Sequence, residues 1–231
     1  MNPNEHPWFF APELPQKGEI VLNPEEVRHL KANRLKTKDK ICLFNGKGKI
    51  AVCELISEEK AGILEVHETS KSEISLILAV AVPKGERADW MLQKLTELGV
   101  STIIPLKTER SVVLPRTTKQ ERWQKILIEA CKQSKQAWLP ELKPLSTIEA
   151  ALKQGAKLKL ILDPEGKPIK DVLQQIPKSV LAFIGPEGGF TEEEKTALKN
   201  AGCIPISLGR QILRIETAAM TIAALLNILE K

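Results

Sequence analysis

Two glycine-bearing loops near the end of the 231-residue chain carry residue types able to hold a small ligand and act on it. In the first, the apolar run Val180 to Ile184 breaks into Gly185-Pro186-Glu187-Gly188-Gly189-Phe190. Thr191 then opens a helix with Glu194 three residues on, the pairing of a capping box. Such a turn exposes backbone amides. In the second, Ile204 to Leu208 reads as a buried strand, and Gly209 releases the chain into Arg210-Gln211-Ile212-Leu213-Arg214-Ile215, ahead of an almost wholly apolar helix from Glu216 to Leu229. Ligands of open parallel sheets sit outside the carboxyl ends of strands, so two such loops side by side predict a pocket. Glycines after a strand often mark only a tight turn. Arg214 and Glu216 weigh more, because charges in an apolar stretch beside a buried helix are expensive and their retention implies a task.

The elements that must position these loops follow from periodicity. Leu76 to Val82 is a continuous apolar strand. A helix from Arg87 to Leu98 with Met91, Leu92 and Leu95 on one face follows it, ended by Gly99. Val100 to Leu106 is the next strand. Thr118 with Glu121 caps a helix carrying Trp123, Ile126, Leu127, Ala130 and Cys131 at helical spacing, and Ser146 with Glu149 caps another. Strand Leu158 to Leu162, a short helix from Ile169 to Ile176, strand Val180 to Ile184 and helix Glu192 to Ala201 complete the series. Strands alternating with helices predict an α/β domain with a parallel sheet covered on both faces, over residues 73–231. Residues 1–72 instead show short strand-like runs (Glu19 to Leu22, Lys40 to Phe44, Ile50 to Leu55, Ile63 to Val66) with a hairpin at Asn45-Gly46-Lys47-Gly48, which predicts a small β-barrel.

With 42% hydrophobic and 27% charged residues the chain has ordinary globular composition. Its four cysteines and three histidines are scattered, which supports neither a disulfide framework nor a metal site and fits a reducing cytoplasm. No signal peptide is expected, and the C-terminal helix is too short and interrupted for a membrane span. No Walker A loop or G-x-G-x-x-G occurs. The net charge is +5, but Arg28, Lys31, Arg34, Lys36, Lys38, Lys40, Lys47 and Lys49 cluster with Asp39 as the only acid among them. That is the footprint expected of a phosphate-backbone binder, although charge runs are often only solvated surface.

The glycine loops, with Leu208-Gly209, Ile212-Leu213-Arg214 and Glu216-Thr217-Ala218, closely resemble those of the bacterial ribosomal RNA small-subunit methyltransferase E family, a branch of the SPOUT methyltransferases. Lys94, Glu97-Leu98-Gly99-Val100, Thr108-Glu109-Arg110-Ser111, and Glu129 with Gln133-Ser134 resemble its middle signatures. Asn45-Gly46 and Arg34 resemble its N-terminal PUA-like barrel. Two positions depart from the family's pattern, Gln136 and Gln211, where the family often has Arg. The resemblance implies a PUA-like barrel that binds RNA and a SPOUT domain with a trefoil knot at its C-terminal end. It further implies a homodimer that methylates N3 of one uridine in 16S ribosomal RNA, within a small-subunit particle, using S-adenosylmethionine and no metal. Two readings from other classes stand beside it: ribose 2′-O-methylation on the same fold, and a non-catalytic ribosome-assembly protein that binds RNA.

On that resemblance the cofactor loops map to Leu162, to Gly185, Glu187, Gly188 and Gly189, and to Leu208, Gly209, Ile212 and Leu213. Glycine backbone suits the adenosyl end, and Ile212 and Leu213 supply an apolar wall. The uridine N3 is protonated at neutral pH, so attack requires loss of that proton and stabilisation of the anion. Arg214 is the candidate cation, and Glu187 or Glu216 the proton acceptor. Arg28, Arg34, Lys36 and Lys38, with Arg110 and Arg116 beyond the second strand of the α/β domain, are the expected RNA contacts.

Overall fold

The computed structural model describes residues 1–113, 118–173 and 177–229. The chain forms two compact units, one of Met1–Lys71 with Ile128–Leu139, the other of Ser72–Leu127 with Pro140–Lys231. Where the sequence suggests a single division near residue 72, a short segment beyond it thus groups with the first unit.

The first unit contains strands Trp8–Phe10 (β1), Glu19–Val21 (β2), Lys40–Phe44 (β3), Lys49–Leu55 (β4) and Lys60–Glu68 (β5), with helix Pro24–Ala32 (α1) between β2 and β3. They make one curled sheet, a half-barrel, in the order β1-β3-β4-β5-β2. The Asn45 side chain accepts from Lys47 N and Lys49 N to fix the hairpin, and Gly48 turns with φ +90°. A Cβ on Gly48 would stand 2.4 Å from the Trp138 ring, so only glycine fits there. Asn23 caps α1 through Glu25 N and Glu26 N, with Pro24 in the first turn, where its missing N–H costs nothing. Glu26 is buried and pairs with Lys132 at 2.6 Å. Burial pushes the Glu26 carboxyl up while the Lys132 ammonium pulls it down, and the net effect is upward.

The second unit is a six-stranded parallel sheet. Its elements in chain order are Ser75–Ala81 (β6), Glu86–Glu97 (α2), Thr102–Leu106 (β7), the start of Thr118–Ser134 (α3, which from Ile128 on belongs to the first unit), Glu141–Leu142 (β8), Ile148–Leu152 (α4), Leu158–Pro168 (β9), Ile169–Val172 (α5), Ser179–Ile184 (β10), Glu192–Asn200 (α6), Ile204–Ser207 (β11) and Ile215–Leu229 (α7). The strand order is β11-β9-β10-β6-β7-β8. Ile77 and Ala79 of β6 pack with Leu181 and Phe183 of β10 under α4 and α6. The alternating residues Leu78 and Val80 are buried as well, and α7 packs on β6 and β10. Both faces are therefore covered, which is why these strands read as unbroken apolar runs.

Four boundaries differ from expectation. β8 is a two-residue strand held by β7 and has no signal of its own. Thr147, not Ser146, caps α4, because the Ser146 backbone is committed to β7 through Lys107 N and Pro105 O. Helix α5 ends at Val172, with residues 174–176 outside the described set, as are Arg116 and the side chain expected to cap α3 at Thr118. β9 does not end at Leu162. Its partner in β11 changes from Ile161 (opposite Pro205) to Lys167 (opposite Ile206), so residues 162–166 loop out and the strand resumes to Pro168.

Candidate active site

Three chain segments meet at the carboxyl ends of parallel strands: the outlooped residues 162–164 of β9, the glycine turn after β10, and the loop from β11 into α7. Together they line a cavity of about 350 Å³. That is small-ligand size, within the roughly 300–1,000 Å³ of such pockets.

Each wall has a local cause. In the glycine turn, Gly189 N donates to Pro186 O at 2.8 Å and Gly189 takes φ +69°, where a side chain is strained. Phe190 is buried, its ring 3.0 Å from where a Cβ on Gly185 would lie, so residue 185 must be small for the aromatic anchor to seat. The expected capping box at Thr191 and Glu194 is present and starts α6 immediately behind the turn. In the 162–166 excursion the Asp163 side chain accepts from Glu165 N at 3.0 Å and pairs with Lys195 of α6 at 3.1 Å. Burial pushes the Asp163 carboxyl up, but the Glu165 N–H and the Lys195 ammonium outweigh it and hold it below the usual carboxylate range. A Cβ on Gly166 would fall 2.5 Å from Ile206 N, so glycine permits β11 to pass this close.

Of the residues expected at the cofactor loops, Leu162, Gly185, Glu187, Gly189, Leu208, Gly209, Ile212 and Leu213 line this cavity, and Arg214 lines it too. Gly188 does not, and its carbonyl accepts from Arg110 Nη1 at 2.7 Å. Arg110, expected among the RNA contacts, is thereby engaged on the glycine turn itself. Glu216 is buried outside the lining, 3.7 Å from Arg87, with its Oε2 unpartnered among the described residues. Asp163, Phe190 and Gln211 line the cavity without having been singled out as cofactor contacts. An acid directly after an apolar strand end was the available signal for the first. Burial pushes the thiols of Cys53 and Cys131 up to about 12 and of Cys203 to about 11, which leaves none of these three as a thiolate at neutral pH. Among the described residues no three His, Cys, Asp or Glu side chains converge as for a metal ion, and no helix is long and apolar enough to cross a membrane.

In the first unit Arg28, Arg34, Lys36 and Lys38 are all exposed. Arg34 (φ 56°) and Lys38 (φ 76°) occupy the left-handed region that glycine would fill more cheaply. Arg34 closes α1, with Leu35 N donating to Leu30 O. Asp39 accepts from Lys36 N, so the one acid of the stretch is spent on a backbone amide. Long basic side chains kept where the backbone favours glycine point to use of the side chains.

Residues 70–227 match the RNA methyltransferase domain family and residues 22–66 the RNA methyltransferase PUA domain. The fold and cavity thus define an RNA methyltransferase domain accompanied by a PUA domain. A crystal structure of a ribosomal RNA small subunit methyltransferase E from Neisseria gonorrhoeae, bound to S-adenosyl methionine, superposes with TM-score 0.89 at 33% identity, over 97% of this chain and 98% of that one. A putative methyltransferase from Legionella pneumophila, in complex with the same cofactor, gives 0.88 at 34% over the same shares. The ribosomal RNA small subunit methyltransferase E of Bacillus subtilis is 32% identical over 90% of this chain and 89% of its own. The chain belongs to the ribosomal RNA small subunit methyltransferase E family.

Proposed function

We propose that the protein methylates N3 of a uridine in 16S ribosomal RNA, in the small ribosomal subunit, with S-adenosylmethionine as donor. The observation that carries this reading is the cavity formed by three strand-end loops in a chain about one-third identical to two relatives solved with that cofactor. The residues fit the group. Glycine backbone at Gly185, Gly189 and Gly209 allows close approach, and Leu162, Leu208 and Leu213 give the apolar wall that an adenosyl moiety needs.

S-adenosylmethionine supplies a methyl carbon made electrophilic by a sulfonium. The protein's own residues do the rest by positioning and by handling one proton. Arg214 at the cavity wall stabilises the negative charge that develops on the uracil carbonyl oxygens as N3 loses its proton. Glu187, exposed on the cavity lining, accepts that proton directly or through water. Glu216, buried against Arg87, is the less accessible acceptor. The bond from N3 to the methyl carbon then forms as the carbon–sulfur bond breaks.

The same reading includes a homodimer, a PUA domain that grips RNA through Arg28, Arg34, Lys36 and Lys38, a substrate within a small-subunit particle, and a cytoplasmic location. It also includes a knotted C-terminal end. Support for the knot is the resemblance of the C-terminal loops to those of the family; here β11 is an edge strand and α7 packs on β6 and β10.

The test is base-resolved mapping of the methylation missing from ribosomal RNA in a deletion strain, with restoration by the purified protein. Restoration of N3-methyluridine is expected. A missing ribose methyl would instead select 2′-O chemistry, and no missing methyl would select a non-catalytic role.

Gly189→Val is expected to weaken S-adenosylmethionine binding by at least about tenfold, or ~1.4 kcal/mol. The cause is that φ +69° strains a branched residue in a turn that lines the cavity. Titration calorimetry on the folded variant checks this, and unchanged affinity sinks the placement. Lys36→Glu with Lys38→Glu should weaken RNA binding and reduce the slope of log affinity against log salt by about 2, leaving cofactor affinity alone. An unmoved slope would make the patch ordinary surface.

A further inference from the structure

The turn after β7 is closed on itself. Thr108 N donates to Ser111 Oγ at 2.9 Å, Ser111 N donates to Thr108 O at 3.1 Å, and Thr108 is buried. Lys107 N, just ahead of it, is tied to Ser146 O. This rigid turn presents two groups to the cofactor side of the same unit. The Glu109 N–H donates to Glu194 Oε1 at 2.8 Å, while Glu194 Oε2 accepts from Thr191 N at 2.9 Å. One carboxylate thus bridges the turn and the first residue behind the glycine loop. The Arg110 guanidinium donates to Gly188 O at 2.7 Å, and its stem lies along Gly188, with Cδ 3.3 Å from where a Cβ would stand.

We infer that Arg110 is a positioning residue for cofactor binding: with Glu194 it clamps the glycine loop from outside, its stem lying along Gly188. The inference rests on the proposed use of S-adenosylmethionine. It follows from how the loop is engaged. Gly185, Pro186, Glu187 and Gly189 line the cavity, whereas Gly188 does not and its carbonyl is taken by Arg110. The turn's internal bond, Gly189 N to Pro186 O, fixes its curvature but not its tilt. Beyond that bond the loop is held by buried Phe190 at its end and by the Arg110 bond to Gly188 O. With the outer bond removed, the loop samples orientations that do not match the ligand, and binding must pay for ordering it.

The experiment uses the full chain and S-adenosylmethionine without RNA. Arg110→Met keeps the stem and deletes the donor, at an exposed position where loss of the fold is not expected. It should weaken binding about tenfold, as fits one hydrogen bond from a charged donor. KM for the cofactor should rise in step and kcat at saturation should change by less than about threefold. Arg110→Lys should recover most of the affinity.

A double-mutant cycle gives an independent check. Gly188→Ala should weaken binding in the native background by pushing the stem away, and should add little once Arg110 is Met. Native affinity in Arg110→Met, or additive effects in the cycle, would overturn the inference. If affinity is native and the RNA salt slope falls by about 1, Arg110 is instead a phosphate contact. Failure of the native protein to bind S-adenosylmethionine at all would refute the proposed function, a result distinct from any change between variants.

Discussion

Arg214→Ala is expected to slow methyl transfer at saturating substrates by about 100- to 1,000-fold, the range seen when one donor to a developing oxyanion is removed, with cofactor affinity largely retained. Arg214 sits where backbone and side chain are separately specified. Its carbonyl accepts from Ala218 N at 2.8 Å, which makes it the residue from which α7 springs. The residue is exposed, lines the cavity, and forms no ion pair among the described residues. The sequence also leaves open a structural role as ion-pair partner of Glu216 or Glu187, but Glu216 faces Arg87, and Arg214 pairs with neither. On the proposed function, a cation at the start of α7 with no ion-pair partner among the described residues is available to a substrate. Arg214→Lys should fall between native and Ala, because an ammonium keeps the charge but cannot reach two oxygens in a plane. Single-turnover rates measured with saturating cofactor and ribosomal particles check this. If kcat is unchanged and only the KM for S-adenosylmethionine rises, Arg214 is part of the wall and the anion is stabilised elsewhere.

The sequence revealed most where a signal is local. Val180 to Ile184 announces a doubly buried strand, Thr191 and Glu194 announce a cap, and the glycines that follow a strand announce a crevice. What it hid is non-local. β1 is three residues between Pro7 and Pro12, and it exists because Trp8 to Phe10 can pair with β3 more than thirty residues away. The far half of β9 contains Pro164, Gly166 and Pro168, which read as loop. It becomes strand through pairing with Ile206 and Ser207. In α3 the apolar spacing is continuous from Trp123 to Cys131, and nothing in a period of 3.6 says that residues from Ile128 onward join the core of the first unit, where Cys131 packs with Trp8 and Phe44. Arg110's bond to the glycine turn is hidden for the same reason. An arginine on a loop reads as a phosphate contact until its partner, a carbonyl seventy-eight residues on, is known.

The helix α7 has two faces with different fates, and they separate folding from association. The sequence shows it apolar all round, with a second face that needs a partner, either the loop of a knot in the same chain or another helix approaching the small residues Ala219, Ala223 and Ala224. In the folded chain Ala219 and Ala223, with Ile222 and Leu226, are buried in the protein's own core. Ala223→Glu therefore tests the fold: it should place a carboxylate in that core at a cost of several kcal/mol, roughly 3 to 5, and yield no native protein. The opposite face carries half-buried Ala224 and Leu225 and exposed Ile228, 68% accessible, while Trp90 is 46% exposed on α2, the helix against which α7 packs. Exposed apolar side chains on α7 are what the proposed two-fold interface would cover. Leu225→Glu with Ile228→Glu is thus expected to leave a folded protein that sediments as a monomer and has lost most of its activity. If the native protein is itself an active monomer at micromolar concentration, or if the double variant remains dimeric, the proposed association through α7 is wrong.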